Sequence, residues 1–253
     1  MTKILESRQA AYAVMALAYG FGASSLFMFT VFVFRGPWHF VDLDLSAHGV
    51  LWLDFGLSML FILQHSGMVR KPFRRALVKV CPVEFGNAVY AVFSGIALLV
   101  VVVLWQETDR ILYAPQGALR VLLRIVFLLS VAGFVWGVRA LVKFDAFGVS
   151  PILGRLRGRE PQPARFVAEG PYRWTRHPLY VFMILMIWSY PDLTTDRLLF
   201  NTLWTLWIFF GVIMEERDLV DEFGDTYREY QKRVPALIPL PIGLRPRKSG
   251  DTQ

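Results

Sequence analysis

Between Glu169 and Tyr180 the chain reads EGPYRWTRHPLY, and between Glu215 and Pro235 it reads EERDLVDEFGDTYREYQKRVP. Each block crowds Arg, Glu, Tyr and His against a strongly apolar run. Ionisable groups kept at the edge of hydrocarbon are costly, which marks such a cluster as a functional-site hypothesis. If the blocks meet, Glu215, Glu216, Arg176, His177 and several tyrosines line a partly dry pocket. That chemistry suits a charged, zwitterionic cofactor with an aromatic purine: arginine matches carboxylate, glutamate matches ammonium or ribose hydroxyls, and rings stack on adenine. His177 opens a helix whose first residue is Pro178, and Tyr180 lies one turn on along the same face. His177 and Tyr180 are therefore the catalytic candidates. His177 or a nearby tyrosine could take or orient a proton, and a histidine that only binds the cofactor fits equally well. Interfacial anchoring accounts for Arg173, Arg217, Arg228, Lys232 and Arg233.

Other chemistries find less support. The four histidines, His39, His48, His65 and His177, show no HxxH or HxxxH spacing, so no metal site is expected. There is no GxGxxG after a strand, no phosphate-binding GxxxxGK[ST] and no GxSxG. The one cysteine, Cys81, stands beside Pro82 with no acid-base partner in a known motif, and it reads as structural.

The elements that must position these residues are membrane helices. A chain of 253 residues that is 55% hydrophobic and 15% aromatic, with mean hydropathy +0.44, is too apolar for an ordinary soluble domain. Apolar runs at residues 11–34, 50–69, 85–105, 119–142, 178–190 and 198–214 predict an all-α polytopic integral membrane protein with about six transmembrane helices. The fifth run is short and Pro191 follows it, so the last two form a helical hairpin. Gly20, Ala23 and Ser24 offer a small face for helix approach. Leu219, Phe223, Tyr227 and Tyr230 recur at helical spacing, which predicts an amphipathic C-terminal helix over residues 215–231. One membrane domain is expected, with residues 1–142 as a four-helix scaffold and 143–241 carrying the cofactor.

The net charge of +7 follows topology rather than nucleic acid. Lys and Arg gather in alternate loops, which places both termini and both charged blocks on the cytoplasmic side of a bacterial inner membrane, with membrane lipids as partners. Asp54 lies inside the second run and must face protein or a cavity. Gln64 and His65 end that run on the cytoplasmic side. All three are candidate substrate contacts.

The paired blocks, GPYRWTRHPLY and EERDLVDEFGDTYREYQKRVPALIP, resemble the signature of membrane methyltransferases of the isoprenylcysteine carboxyl methyltransferase and phospholipid N-methyltransferase type, over residues 164–239. The stretches LQHSGMVRKPFRR, CPVEFGNAVYAVFSG, KFDAFG, LRGREPQP and WSYPDLTTDRLLF look like the bacterial branch of methanethiol S-methyltransferases and NnrU-like proteins. The resemblance implies S-adenosylmethionine as cofactor without a Rossmann domain. It implies cofactor contacts at Arg165, Phe166, Val167, Tyr172, His177, Pro178, Tyr180 and Glu215. The isoprenylcysteine enzymes carry a substrate arginine one turn before the Glu; Gly211 stands there in this chain, which favours a small methyl acceptor over a large prenylated carboxylate. A lipid-like acceptor, an NADPH-dependent sterol-reductase type of chemistry, and a non-enzymatic membrane assembly or transport role are the competing expectations.

Overall fold

The computed structural model describes residues 7–141, 145–159 and 166–238. Arg165, the first two residues of the KFDAFG stretch and the last four of LRGREPQP lie outside them. The chain is helical almost throughout. Helix α1 spans Arg8–Arg35, α2 Ala47–Val69, α3 Lys71–Val78, α4 Gly86–Leu104, α5 Gly117–Ala140, α6 Val149–Leu156, α7 Pro178–Trp188, α8 Thr195–Phe223 and α9 Asp225–Arg233. Two short strands, β1 at Ile111–Tyr113 and β2 at Leu193–Thr194, pair antiparallel. Helices α1, α2, α4 (with the 3-10 turn before it), α5 and α8 are long and apolar enough to cross a membrane. Helix α7 has 11 residues, roughly 16 Å of rise against about 30 Å of hydrocarbon.

Boundaries follow local chemistry. The Ser7 and Ser46 hydroxyls cap α1 and α2 by accepting from the amides of Ala10 and Gly49. Gly36, at φ +95°, ends α1. Pro72 stands in the first turn of α3, and Arg70 before it is extended. One boundary departs from expectation. Helix α8 does not end at residue 214; it runs unbroken through Glu215 and Glu216 to Phe223, then breaks at Gly224, at φ +55°. Nothing between Gly211 and Gly224 interrupts a helix, so the backbone continues after the hydropathy falls, and the expected helix over 215–231 is the end of α8 plus a separate α9.

The fold divides into two compact units, and the divisions at 124/125 and 204/205 fall inside α5 and α8. The first holds α1 to α4, β1, α6, β2 and the start of α8. Its core joins Ala11, Met15 and Ala18 of α1 to Cys81, Phe85, Ala88 and Ala91, with Val149 and Ile152 of α6. A second aromatic layer stacks Phe61, Trp204 and Phe29, with Phe32, Trp105 and Phe200 packed edge-on beside it. The close approach expected at Gly20 occurs elsewhere: nothing lies within 4 Å of a Cβ built there, whereas one on Gly95 meets the backbone of Phe21 at 2.7 Å and one on Gly22 meets the Phe147 ring at 2.5 Å. The α1–α4 contact thus uses the adjacent helical face.

The second unit holds the end of α5, the segment leading into α7, α7 itself, the rest of α8 and the C-terminal elements. Gly133 and Gly137 of α5 let α7 lie against it: a Cβ on either would stand 2.3 Å from the Phe182 ring or 2.7 Å from Leu179. Helices α7 and α8 form the predicted hairpin, since Trp188 Nε1 donates to Thr205 near the turn and Tyr180 faces Gly211 further down.

Candidate active site

Everything at the site grows from two turns of the second unit. Gly170, at φ +54°, starts a 3-10 turn over Gly170–Arg173 tucked against Ala140 and Trp136, where a Cβ would come within 3.1 and 3.2 Å. The chain then passes through Thr175, Arg176 and His177, and α7 starts at Pro178, which needs no amide donor there. The freed amides find the C-terminal segment. Arg176 N donates to Pro235 O at 2.9 Å and His177 N to Ala236 O at 3.1 Å, and the Thr175 hydroxyl reaches Ala236 O at 2.7 Å. Arg176 Nη1 donates to the carbonyls of Gln231 and Val234.

At the centre stands Glu216. Its Oε1 accepts from Arg176 Nε (2.8 Å), His177 Nε2 (2.6 Å) and the Tyr227 hydroxyl (2.8 Å); its Oε2 accepts from Arg176 Nη2 (2.9 Å) and Gln231 Nε2 (2.5 Å). Five donors on one carboxylate, two of them the parallel fork of an arginine, more than fill its roughly four lone-pair sites. Glu215, the preceding residue, is the opposite case. Its side chain is 44% exposed, and its Oε2 lies 3.7 Å from His177 Nδ1, whereas the His177 side chain is 3% exposed. The two carboxylates that sequence treats as a pair therefore do different work: one organises the protein, and the other presents an open charge.

Aromatic rings flank this array. The Tyr180 ring stacks on His177 at 5.6 Å and 25°. Phe166 packs on Phe223, Tyr227 and Tyr230 at centroid distances of 5.1–5.7 Å, and the Tyr230 hydroxyl donates to the Tyr172 carbonyl at 2.5 Å. Burial pushes the phenols of Tyr172, Tyr227 and Tyr230 above their ordinary range, helped at Tyr172 by the Glu215 charge and at Tyr227 by its bond to Glu216. These phenols stay protonated donors at physiological pH.

The structure thus gathers Phe166, Tyr172, Arg176, His177, Pro178, Tyr180, Glu215 and Glu216 in one unit, with Val167 37% exposed on the same segment. Arg165 lies outside the described residues. Asp54, Gln64 and His65 belong to the first unit, where each bonds the α4 side. Asp54, fully buried, accepts from the amide of Gln106, Gln64 donates to Ser94 and Met68, and His65 pairs with the Tyr90 hydroxyl at 2.7 Å. Asp54 Oδ2 and Gln64 Oε1 are buried without a hydrogen-bond partner. Sequence reasoning missed Gln231 and the carbonyls of residues 234–236 as parts of the site. The signal available was the i, i+4 spacing of Tyr227 and Gln231, which puts both on one face of α9. Among the described residues no group of three His, Cys, Asp or Glu side chains could hold a metal ion.

Comparison with known proteins places this geometry in context. A family model described as NnrU protein matches residues 54–244. A methanethiol S-methyltransferase of a Pseudomonas species is 36% identical over 207 residues, covering 77% of this chain and 77% of that protein. One from Mycobacterium tuberculosis is 30% identical over 233 residues, covering 92% and 94%. A protein-S-isoprenylcysteine O-methyltransferase of Schizosaccharomyces pombe is 43% identical over 82 residues, 29% of this chain and 33% of that one. No solved structure matches the chain.

Proposed function

The chain belongs to the NnrU family, a membrane-embedded methyltransferase by its relatives, and we propose that it transfers the methyl group of S-adenosylmethionine to a small thiol of the methanethiol class. The observation that carries the cofactor assignment is the contrast at Glu215 and Glu216: a carboxylate left open beside a saturated one is what an ammonium-bearing ligand needs. The donor set fits. Glu215 takes the ammonium and Phe166 and Tyr172 offer ring faces to the purine, while Arg165, outside the described residues, is assigned as carboxylate partner from the sequence resemblance alone.

S-adenosylmethionine, when bound, supplies a methyl on a sulfonium, whose leaving group is already excellent. The protein's task is to hold the thiol sulfur in line with that methyl and to exclude water. The bond from thiol sulfur to carbon forms as the carbon–sulfonium bond breaks, and the thiol proton departs to solvent or a nearby base. Tyr180 faces Gly211, with its hydroxyl 3.8 Å from where a Cβ would lie. A side chain as long as arginine at 211 would run along that ring, so glycine keeps the space for a compact, uncharged methyl acceptor. We assign both termini to the cytoplasm and the protein to the bacterial inner membrane, from the placement of Lys and Arg.

The test is direct. Membranes holding the protein are incubated with methyl-labelled S-adenosylmethionine and methanethiol, and volatile, lipid and protein fractions are separated. Label is expected in volatile dimethyl sulfide. Label confined to the lipid or protein fraction would move the methyl acceptor to the lipid or isoprenylcysteine class, and no transfer into any fraction would remove the function.

A further inference from the structure

His177 invites assignment as the base that takes the thiol proton, but its surroundings leave no room for a thiol. Its side chain is 3% exposed, its face is covered by the Tyr180 ring at 5.6 Å, and its backbone amide is tied to Ala236. Both ring nitrogens are turned toward carboxylates of α8. A carboxylate can only accept, so Nε2 carries a proton toward Glu216 at 2.6 Å, while Nδ1 stands 3.7 Å from Glu215. Adjacent helical positions diverge by about 100°, so one ring can meet both Glu215 and Glu216 only by lying between them. The charged and titratable groups facing it are these two glutamates of α8, Tyr180 of α7, and, on the same Glu216 oxygen, Arg176 and the Tyr227 hydroxyl of α9.

We propose that His177 is a positioning residue: a two-ended bridge that transmits the fixed position of Glu216 to Glu215 and so sets the open carboxylate where the cationic amine of the methyl donor binds. This rests on the function proposed above. Four other donors, from Arg176, Tyr227 and Gln231, hold Glu216, Glu216 holds Nε2, and a ring that carries both protons draws the half-exposed Glu215 toward Nδ1. A pre-set carboxylate binds an ammonium group without first losing side-chain entropy.

The experiment uses the full chain in lipid nanodiscs, with S-adenosylmethionine and S-adenosylhomocysteine as probes in calorimetry and methanethiol as methyl acceptor for turnover. His177→Ala is expected to weaken binding of both probes by roughly tenfold or more, as loss of a supporting hydrogen-bond partner does elsewhere, while kcat at saturating cofactor stays within about threefold. His177→Gln keeps an N–H near the Nε2 position and His177→Asn one near Nδ1. Each restores one end only, so neither recovers full affinity. Adding Glu215→Gln to His177→Ala weakens binding no further than Glu215→Gln alone, because the bridge acts only through that carboxylate. Three results overturn the bridge. A kcat loss of about 10² or more with the acid limb of the rate profile abolished makes His177 the base. Unchanged probe affinity in His177→Ala removes its role at Glu215. Additive losses in the double variant show that it acts by another route. A wild-type protein that binds neither probe ends the proposed function and the bridge with it, whereas a wild type that binds and turns over keeps the two questions separate.

Discussion

At the scale of single residues, Glu215 and Glu216 differ in what surrounds them rather than in what they are. Removing the charge from Glu216 frees a buried arginine fork, a histidine and a tyrosine hydroxyl at once, and breaking a largely buried ion pair costs about 3 kcal/mol. Glu216→Gln is therefore expected to lower the melting temperature of the purified protein by several degrees. Glu215→Gln, at a half-exposed position with one distant partner, is expected to leave the melting temperature within a degree or two and to weaken S-adenosylmethionine binding instead. Differential scanning fluorimetry with and without the cofactor reads both effects. Equal destabilisation by the two variants would contradict the division of labour between them. The same contrast explains what sequence could and could not disclose. The EE dipeptide beside an apolar run announces a site, but which carboxylate is saturated depends on Gln231 and Tyr227 returning from α9, contacts that no local spacing within α8 records.

At the scale of elements, the second unit depends on how closely α7 can lie against α5. Its two contact points are glycines four residues apart, and a side chain at either would overlap Phe182 or Leu179. Gly133→Leu is expected to destabilise the protein by about 1–3 kcal/mol through overpacking and to shift the His-Pro segment that α7 carries, lowering methyl transfer as well as the melting temperature. Gly20→Leu, with nothing within 4 Å, is the control and should change neither. A fully active, fully stable Gly133→Leu protein would mean that this contact does not position the site. Proline placement made the brevity of α7 legible: Pro178 starts the helix and Pro191 prevents its extension. The end of α8 was not legible from hydropathy, because the apolar run stops at residue 214 while the helix stops only where Gly224 adopts a positive φ. Hydropathy marks where a helix leaves hydrocarbon, and backbone chemistry marks where it ends.

At the scale of the whole molecule, the all-helical membrane architecture follows from composition and run length, and the pattern of basic loops is the basis of the proposed orientation. On that proposal the α3 region, with Arg70, Lys71, Arg74, Arg75 and Lys79, lies in the cytoplasm, and the connection between α4 and α5 lies outside it. The chain supplies its own silent background for a test. Its single cysteine, Cys81, is 4% exposed, and burial, reinforced by Glu84, pushes its thiol pKa up, so little thiolate exists to react. Arg75 and Asp109 are both exposed and stand in the two opposite connections. In intact cells a membrane-impermeant maleimide is expected to label Asp109→Cys, to label Arg75→Cys only after permeabilisation, and to leave the parent protein unlabelled in both conditions. The reverse pattern would place the site on the outer face, away from cytoplasmic S-adenosylmethionine, and an orientation that starves the site of its methyl donor is incompatible with the proposed reaction.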